Sequence, residues 1–174
     1  MSFLKFLGLE TSQPAGTPET ETVRKIADAL DRMDPHEARY IAAFAYVLAR
    51  AAQADMQISE METRAMERIV TQHSGLPEEQ AVMVVQIAKT QNKLFGATED
   101  FVVTREFNEI ATREQKLALL NCLFSVAASE GMISMEEDNV IRQIASELRL
   151  DHPDFIALRS RYRDHLSVLH PRSE

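Results

Sequence analysis

Apolar residues recur along this chain at helical spacing, and short polar turns divide them into segments. Thr17-Pro18-Glu19 reads as a helix start with proline in the first turn, followed by Val23, Ile26, Ala27 and Leu30 on one face. Asp34-Pro35-His36-Glu37 is a stronger start, with Asp34 as cap and Glu37 placed to complete a reciprocal capping box. The helix it opens runs through Tyr40–Ala49 to about Ala54. It is apolar on nearly every side, so it is expected at the centre of a bundle. Ser59 and Glu62 form a second capping box, before a helix that turns Ala65, Met66, Ile69 and Val70 inward. Ser74-Gly75 stops that helix, and Pro77 starts another carrying Val84, Ile87 and Ala88.

The second half reads in the same way. Leu94–Thr98 is a break, and Thr98 caps a shorter helix to about Ile110, although the β-branched Val102-Val-Thr104 run is a poor helix former. Thr112 and Gln115 make a capping box for Leu117–Ala128, a second helix apolar almost all round. Ser134 with Glu137 caps a helix holding Val140, Ile141, Ile144 and Leu148. Asp151-His-Pro-Asp154 opens a last helix with Phe155, Leu158, Tyr162 and Leu166.

A shift of 75 residues superimposes the halves. Ala52–Glu62 then lies over Ala127–Glu137, Leu48 over Leu123, Met66 over Ile141 and Ile69 over Ile144. Pro77 meets Pro153 after a one-residue slip. The expected fold is all-α: a single bundle of about eight helices with pseudo-twofold duplication of a four-helix unit, repeats about 18–92 and 97–168, in one domain spanning 18–168. Residues 1–17 form an apolar segment (Phe3, Leu4, Phe6, Leu7, Leu9) and a polar linker. That segment is a candidate for docking on the body, on a partner or on a membrane surface, and is too short for a signal peptide.

Composition narrows the function. A net charge of −8, with 27 acidic against 19 basic residues, argues against a nucleic-acid binder. Arg159, Arg161 and Arg163 read as a solvated helix face. No run reaches the roughly 18 apolar residues of a membrane span. The one cysteine, Cys122, lies in an apolar helix and is expected to be a buried hydrophobe, which fits a reducing cytoplasm. The five histidines share no metal-ligand spacing on a helix face, and Met56, Met61, Met66, Met132 and Met135 cluster around the turns as core fillers or as an adaptable contact surface. With no nucleophile or phosphate loop, no enzyme is expected.

Each half carries an acid, Ile three residues on, Ser at four and Glu at seven: Asp55, Ile58, Ser59 and Glu62, then Glu130, Ile133, Ser134 and Glu137. Capping accounts for the Ser and Glu positions, at about 1 kcal/mol for each Ser. It does not account for Asp55 and Glu130, which follow a helix C-terminus, the unfavourable end for a carboxylate. If the turns approach, Asp55, Glu62, Glu130 and Glu137 bring four carboxylates together. Like charges about 4 Å apart repel by about 4 kcal/mol at a surface-like dielectric, so such a cluster takes up arginines, protons or a cation. Oxygen-only ligands favour Ca²⁺, Mg²⁺ or Mn²⁺. Caps and salt bridges on a helical scaffold are the alternative.

The run Leu48–Glu62 and its echo through Glu130–Glu137 resemble the TerB-like tellurite-resistance family, which is related to the N-terminal domain of a membrane-anchored co-chaperone of the DnaJ type. The likeness covers roughly residues 20–165. It implies a duplicated helical body and a non-enzymatic role in bacterial stress or tellurite resistance, near the inner membrane. Together with the residues themselves, the expectation is a cytoplasmic protein that binds protein partners, with peripheral membrane contact through residues 1–9. The resemblance also implies a metal site at Asp55, Glu62, Glu130 and Glu137. Met56 stands where the family has Gly, and Glu130 where it has Asp.

Overall fold

The structure, a computed structural model, describes residues 25–26, 28–52, 60–91, 100–129 and 131–170. The N-terminal segment and linker, the first helix start, Ala27, the first acidic turn with Asp55 and Ser59, the break at Leu94–Thr98, and Glu130 lie outside the described residues. After a helical stretch at 28–31 come α1 (Pro35–Ala51), α2 (Glu60–His73), α3 (Glu78–Gln91), α4 (Asp100–Ile110), α5 (Arg113–Ser129), α6 (Met135–Glu147) and α7 (His152–Ser160). Two 3-10 turns follow, Arg163–His165 and Ser167–Leu169. The fold is all-helical, and the only extended pairing among the described residues is a parallel bridge between Ile133 and Leu166.

Helix α1 is the axis of the bundle. Every residue from Tyr40 to Ala49 is buried, and α3, α4, α5 and α6 all pack on it. Helix α5 is the second core helix, in contact with α1, α2, α6 and α7. Helix α1 is buried all round from Tyr40 to Ala49 and helix α5 over Leu119–Ala127 except at half-buried Asn121 and Ser125, and their side chains belong to one continuous core. Phe44 and Phe107 meet edge-on at 6.2 Å, with Tyr40 stacked on Phe107 at 5.4 Å. On the other side, Phe124 stacks on Tyr162 at 5.4 Å and packs on Phe155 at 6.1 Å.

Helix ends follow local chemistry. Asp34 Oδ1 accepts from the backbone N–H groups of His36 (2.9 Å) and Glu37 (3.3 Å). Glu37 does not reach back to complete the box; its carboxylate accepts instead from Gln80 on α3, exchanging a local contact for a tertiary one. The Thr112–Gln115 box is complete in both directions, at 3.2 and 2.8 Å. Gly75, at φ +74°, ends α2 in the left-handed conformation. At the end of α6 that position is held by Arg149, at φ 54°, and Leu150 N–H closes the turn on the Ala145 carbonyl at 3.1 Å.

Three expectations are corrected. Helix α1 stops at Ala51, short of Ala54, with Ala52 as its C-cap. The last helix stops at Ser160, so Tyr162 and Leu166 lie beyond it. The Tyr162 hydroxyl is drawn to Asn121 Oδ1 (2.7 Å) and Ser125 Oγ (2.6 Å) on α5, and Leu166 is buried by pairing with Ile133, a path that a continued helix would not allow. Arg159 is no solvated side chain; it is an interior ion-pair partner.

One core group is unsatisfied. The Tyr40 hydroxyl is buried with no hydrogen-bond partner among the described residues, an arrangement that costs about 1–3 kcal/mol. Tyr40→Phe is therefore expected to raise stability by about 1 kcal/mol in urea unfolding. A lower midpoint for the variant would show that the hydroxyl is bonded.

Candidate functional site

The second acidic turn is built by backbone chemistry on both flanks. Gly131 leaves α5 at φ +123°, a conformation that disfavours any side chain, and its N–H donates to the Ala128 carbonyl at 3.2 Å. Ile133 then plugs the core, fully buried. Ser134 Oγ accepts from Glu137 N–H at 3.1 Å, and Ser134 N–H donates to Glu137 Oε2 at 2.8 Å, the reciprocal box expected from the spacing.

The C-terminal segment clips this turn from outside. Ile133 N–H donates to the His165 carbonyl at 2.6 Å, and Ser167 N–H donates to the Ile133 carbonyl at 3.0 Å. His165 Nδ1 lies 3.2 Å from the Gly131 carbonyl oxygen, a hydrogen bond when that nitrogen carries the proton.

Of the four candidate ligands, Glu62 and Glu137 are described, both half-buried in the first turns of α2 and α6. One Glu137 oxygen is committed to its cap. Asp55 and Glu130 lie outside the described residues. Among the described residues, no three His, Cys, Asp or Glu side chains are grouped to hold a metal ion. The methionines divide: Met66 is core, whereas Met61 (81% exposed), Met132 and Met135 (60%) stand in solvent beside the turns.

Two largely buried bidentate ion pairs carry no motif in the sequence. Arg50, one residue before the end of α1, donates through Nη1 to Glu147 Oε2 at 2.6 Å and through Nη2 to Oε1 at 3.1 Å. It also reaches Thr104 Oγ1 at 3.2 Å, so the contact ties α1, α4 and α6. The two charged side chains are only 10% and 11% exposed. Burial raises the Glu147 carboxyl pKa, but the hydrogen bond and charge of Arg50, with bonds from Gln143 and Thr104, outweigh it and hold the pKa below its ordinary value.

On α6 and α7, Arg159 Nε and Nη2 clamp Asp138 at 2.8 and 2.7 Å. Arg142 lies 3.8 Å from the same carboxylate and covers the Phe155 ring. The hydrogen bond to Asp138 is the leading cause that raises the Arg159 pKa. A charge that follows ten consecutive buried residues, as Arg50 does, signals the need for a partner; nothing in the spacing says which acid answers.

The interior nucleophile is inert. Burial pushes the Cys122 thiol up to about 12, and burial, then the neighbouring Cys122, raises the Tyr40 phenol as well.

These elements define an all-helical body with two interior ion-pair clamps and an acidic turn sealed by its own C-terminal segment. A family model described as tellurite resistance protein TerB matches residues 40–160, from the first core tyrosine through the last helix. The chain belongs to the TerB family. No curated protein and no solved structure matches it. The turns at 163–169, which clip Ile133, fall beyond the matched span.

The Arg50–Glu147 clamp makes stability depend on acid in a defined direction. Because the folded pKa of Glu147 is depressed, its contribution is complete above the ordinary value of 4.5 and is lost as pH falls through the lowered value. In urea titrations across pH, the stability gap between wild type and Glu147→Gln is expected to narrow as pH drops below 4.5. A gap independent of pH would contradict the clamp.

Proposed function

We propose that this TerB-family protein is a non-catalytic binding body of bacterial stress or tellurite resistance, which engages protein partners through the surface around its paired acidic turns. The observation that carries this is the exposure of Met61, Met132 and Met135 beside the described flanks of both turns. Flexible, polarisable side chains left in solvent form an adaptable contact surface, and a folded monomer has no internal need for them there. Absence of catalysis is supported by the family, and burial of Cys122 argues against thiol chemistry there.

In the finer form of this proposal, Asp55, Glu62, Glu130 and Glu137 hold a Ca²⁺, Mg²⁺ or Mn²⁺ ion that presents the two turns to a partner. The support is chemical: a carboxylate after a helix C-terminus sits against the helix dipole, and the sequence places one there twice. A second reading, a metal-free scaffold, is favoured by the closed Ser134–Glu137 box, which already uses one carboxylate oxygen. We place the protein in the cytoplasm, with peripheral contact to the inner membrane through residues 1–9. Among the described residues, no helix is long and apolar enough to cross a membrane.

Calorimetric titration with each cation, on wild type and on the Asp55→Ala/Glu130→Ala double variant, separates the two readings. Saturable heat in the wild type alone is expected, together with a partner pull-down that chelator weakens. No heat at millimolar metal would remove the cation, and a pull-down unchanged in the double variant would leave only the scaffold.

A further inference from the structure

Beyond helix α7 the chain is held firmly at Tyr162, whose ring stacks on Phe124 and whose hydroxyl bonds to Asn121 Oδ1 and Ser125 Oγ. After that point its hold on the body is slight. Of residues 163–170, Leu166 alone is buried. Two backbone bonds, both to Ile133, tie the segment down, with His165 Nδ1 near the Gly131 carbonyl as a third contact. The other bonds, from Leu166 N–H to the Arg163 carbonyl, Leu169 N–H to the Leu166 carbonyl and His170 N–H to the Ser167 carbonyl, close its own 3-10 turns and do not fasten it. Ile133 is different. Its side chain is fully buried, and the Ser134–Glu137 box fixes the residues after it from within the turn. The bridge therefore joins a fixed edge to a lightly held strap.

We propose that the Ile133 edge is a docking site for an extended segment of a partner protein, and that residues 163–169 occupy it as a latch that opens at Tyr162 while the bundle stays folded. The resident segment shows what the site takes. Its backbone runs parallel to the edge, gives the Ile133 N–H an acceptor and the Ile133 carbonyl a donor, and sinks one leucine into the core. Main-chain pairing of this kind supplies affinity, and the pocket for a single side chain supplies selectivity. The segment that displaces the latch therefore carries a leucine-like residue at the bridge position. Met132 and Met135, exposed within two residues of Ile133, extend the apolar contact for it. The proposal gives the contact surface of the second acidic turn its occupant and its regulation, and rests on that reading for the existence of a partner; the opening of the latch does not.

Two measurements on the full chain test it. In native-state amide exchange, the Ile133 N–H is bonded to the latch while its side chain stays in the core, so it reads the latch directly. It is expected to exchange about a hundredfold or more faster than Leu123 of α5, with almost no response to low urea. One rate and one urea slope for both amides overturns the latch. The second is fluorescence anisotropy of a labelled peptide with the sequence of residues 162–170, titrated with wild type and with Leu166→Ala. Saturable binding to the variant is expected, and binding about tenfold or more weaker to wild type, where the tethered segment competes at an effective concentration of the order of millimolar. The same peptide carrying Leu166→Ala is expected not to bind. No saturation by the variant at millimolar protein, or equal affinity for both chains, overturns the docking site. Circular dichroism reports whether the variant is folded; if it is not, exchange in the wild type decides. A wild-type dimer in sedimentation that Leu166→Ala dissociates would give the edge to a second copy's segment and overturn the partner assignment. Peptide binding to the variant with no partner recovered in pull-downs would fault the contact-surface reading of the turn and uphold the edge.

Discussion

From Tyr40 to Ala49 helix α1 has no exposed face, and the rest of the bundle is arranged around that fact. A helix buried from Tyr40 to Ala49 must be covered on every side, so α3, α4, α5 and α6 are all recruited to it. Helix α5 makes the same demand and meets it with α2, α6 and α7 as well as α1. These two helices do not each own a separate core. They share one, which joins aromatic clusters around Phe107 and Phe124 into a single apolar body.

Charge enters that body at controlled points. Where the apolar run of α1 ends, Arg50 brings a guanidinium that water barely reaches, and Glu147 and Thr104 satisfy it from two other helices. Asp138 and Arg159 do the same between α6 and α7. Pairs of this kind add little net stability over apolar substitutes, but leaving one partner alone in the interior is costly, so they fix which helices meet and in what register. The Arg50 clamp also anchors the end of α1 immediately before the first acidic turn. The second turn is anchored by other means, its Ile133 buried and its backbone paired with the C-terminal segment.

The helical class, the two core helices, the burial of Cys122 and most helix starts were legible in the sequence, because periodicity and capping are local. The Ser134–Glu137 and Thr112–Gln115 boxes are cases in point: each is written within four residues. What escaped was tertiary. Glu37 satisfies the spacing of a box, yet turns to Gln80, a partner 43 residues away. Leu166 fits the period of a helix, yet the chain breaks at Ser160 because Ile133 offers a backbone edge and a core position. Arg159 has the pattern of a solvated stripe until Asp138 is seen beneath it. Of the candidate site, sequence gave the capping roles of Ser134 and Glu137; the C-terminal clip carries no motif and was not foreseen.

Membership of the TerB family and the single shared core describe one object: a helical body built around one continuous apolar core. Native-state hydrogen exchange resolved by residue tests this most directly. If one core governs the molecule, amides of Ile41–Leu48 in α1 and of Leu119–Leu123 in α5 exchange only through global opening, with a common free energy equal to that of urea unfolding. Exchange of one of these helices at a distinctly lower free energy than the other would mean that the halves open separately, and the account would fail.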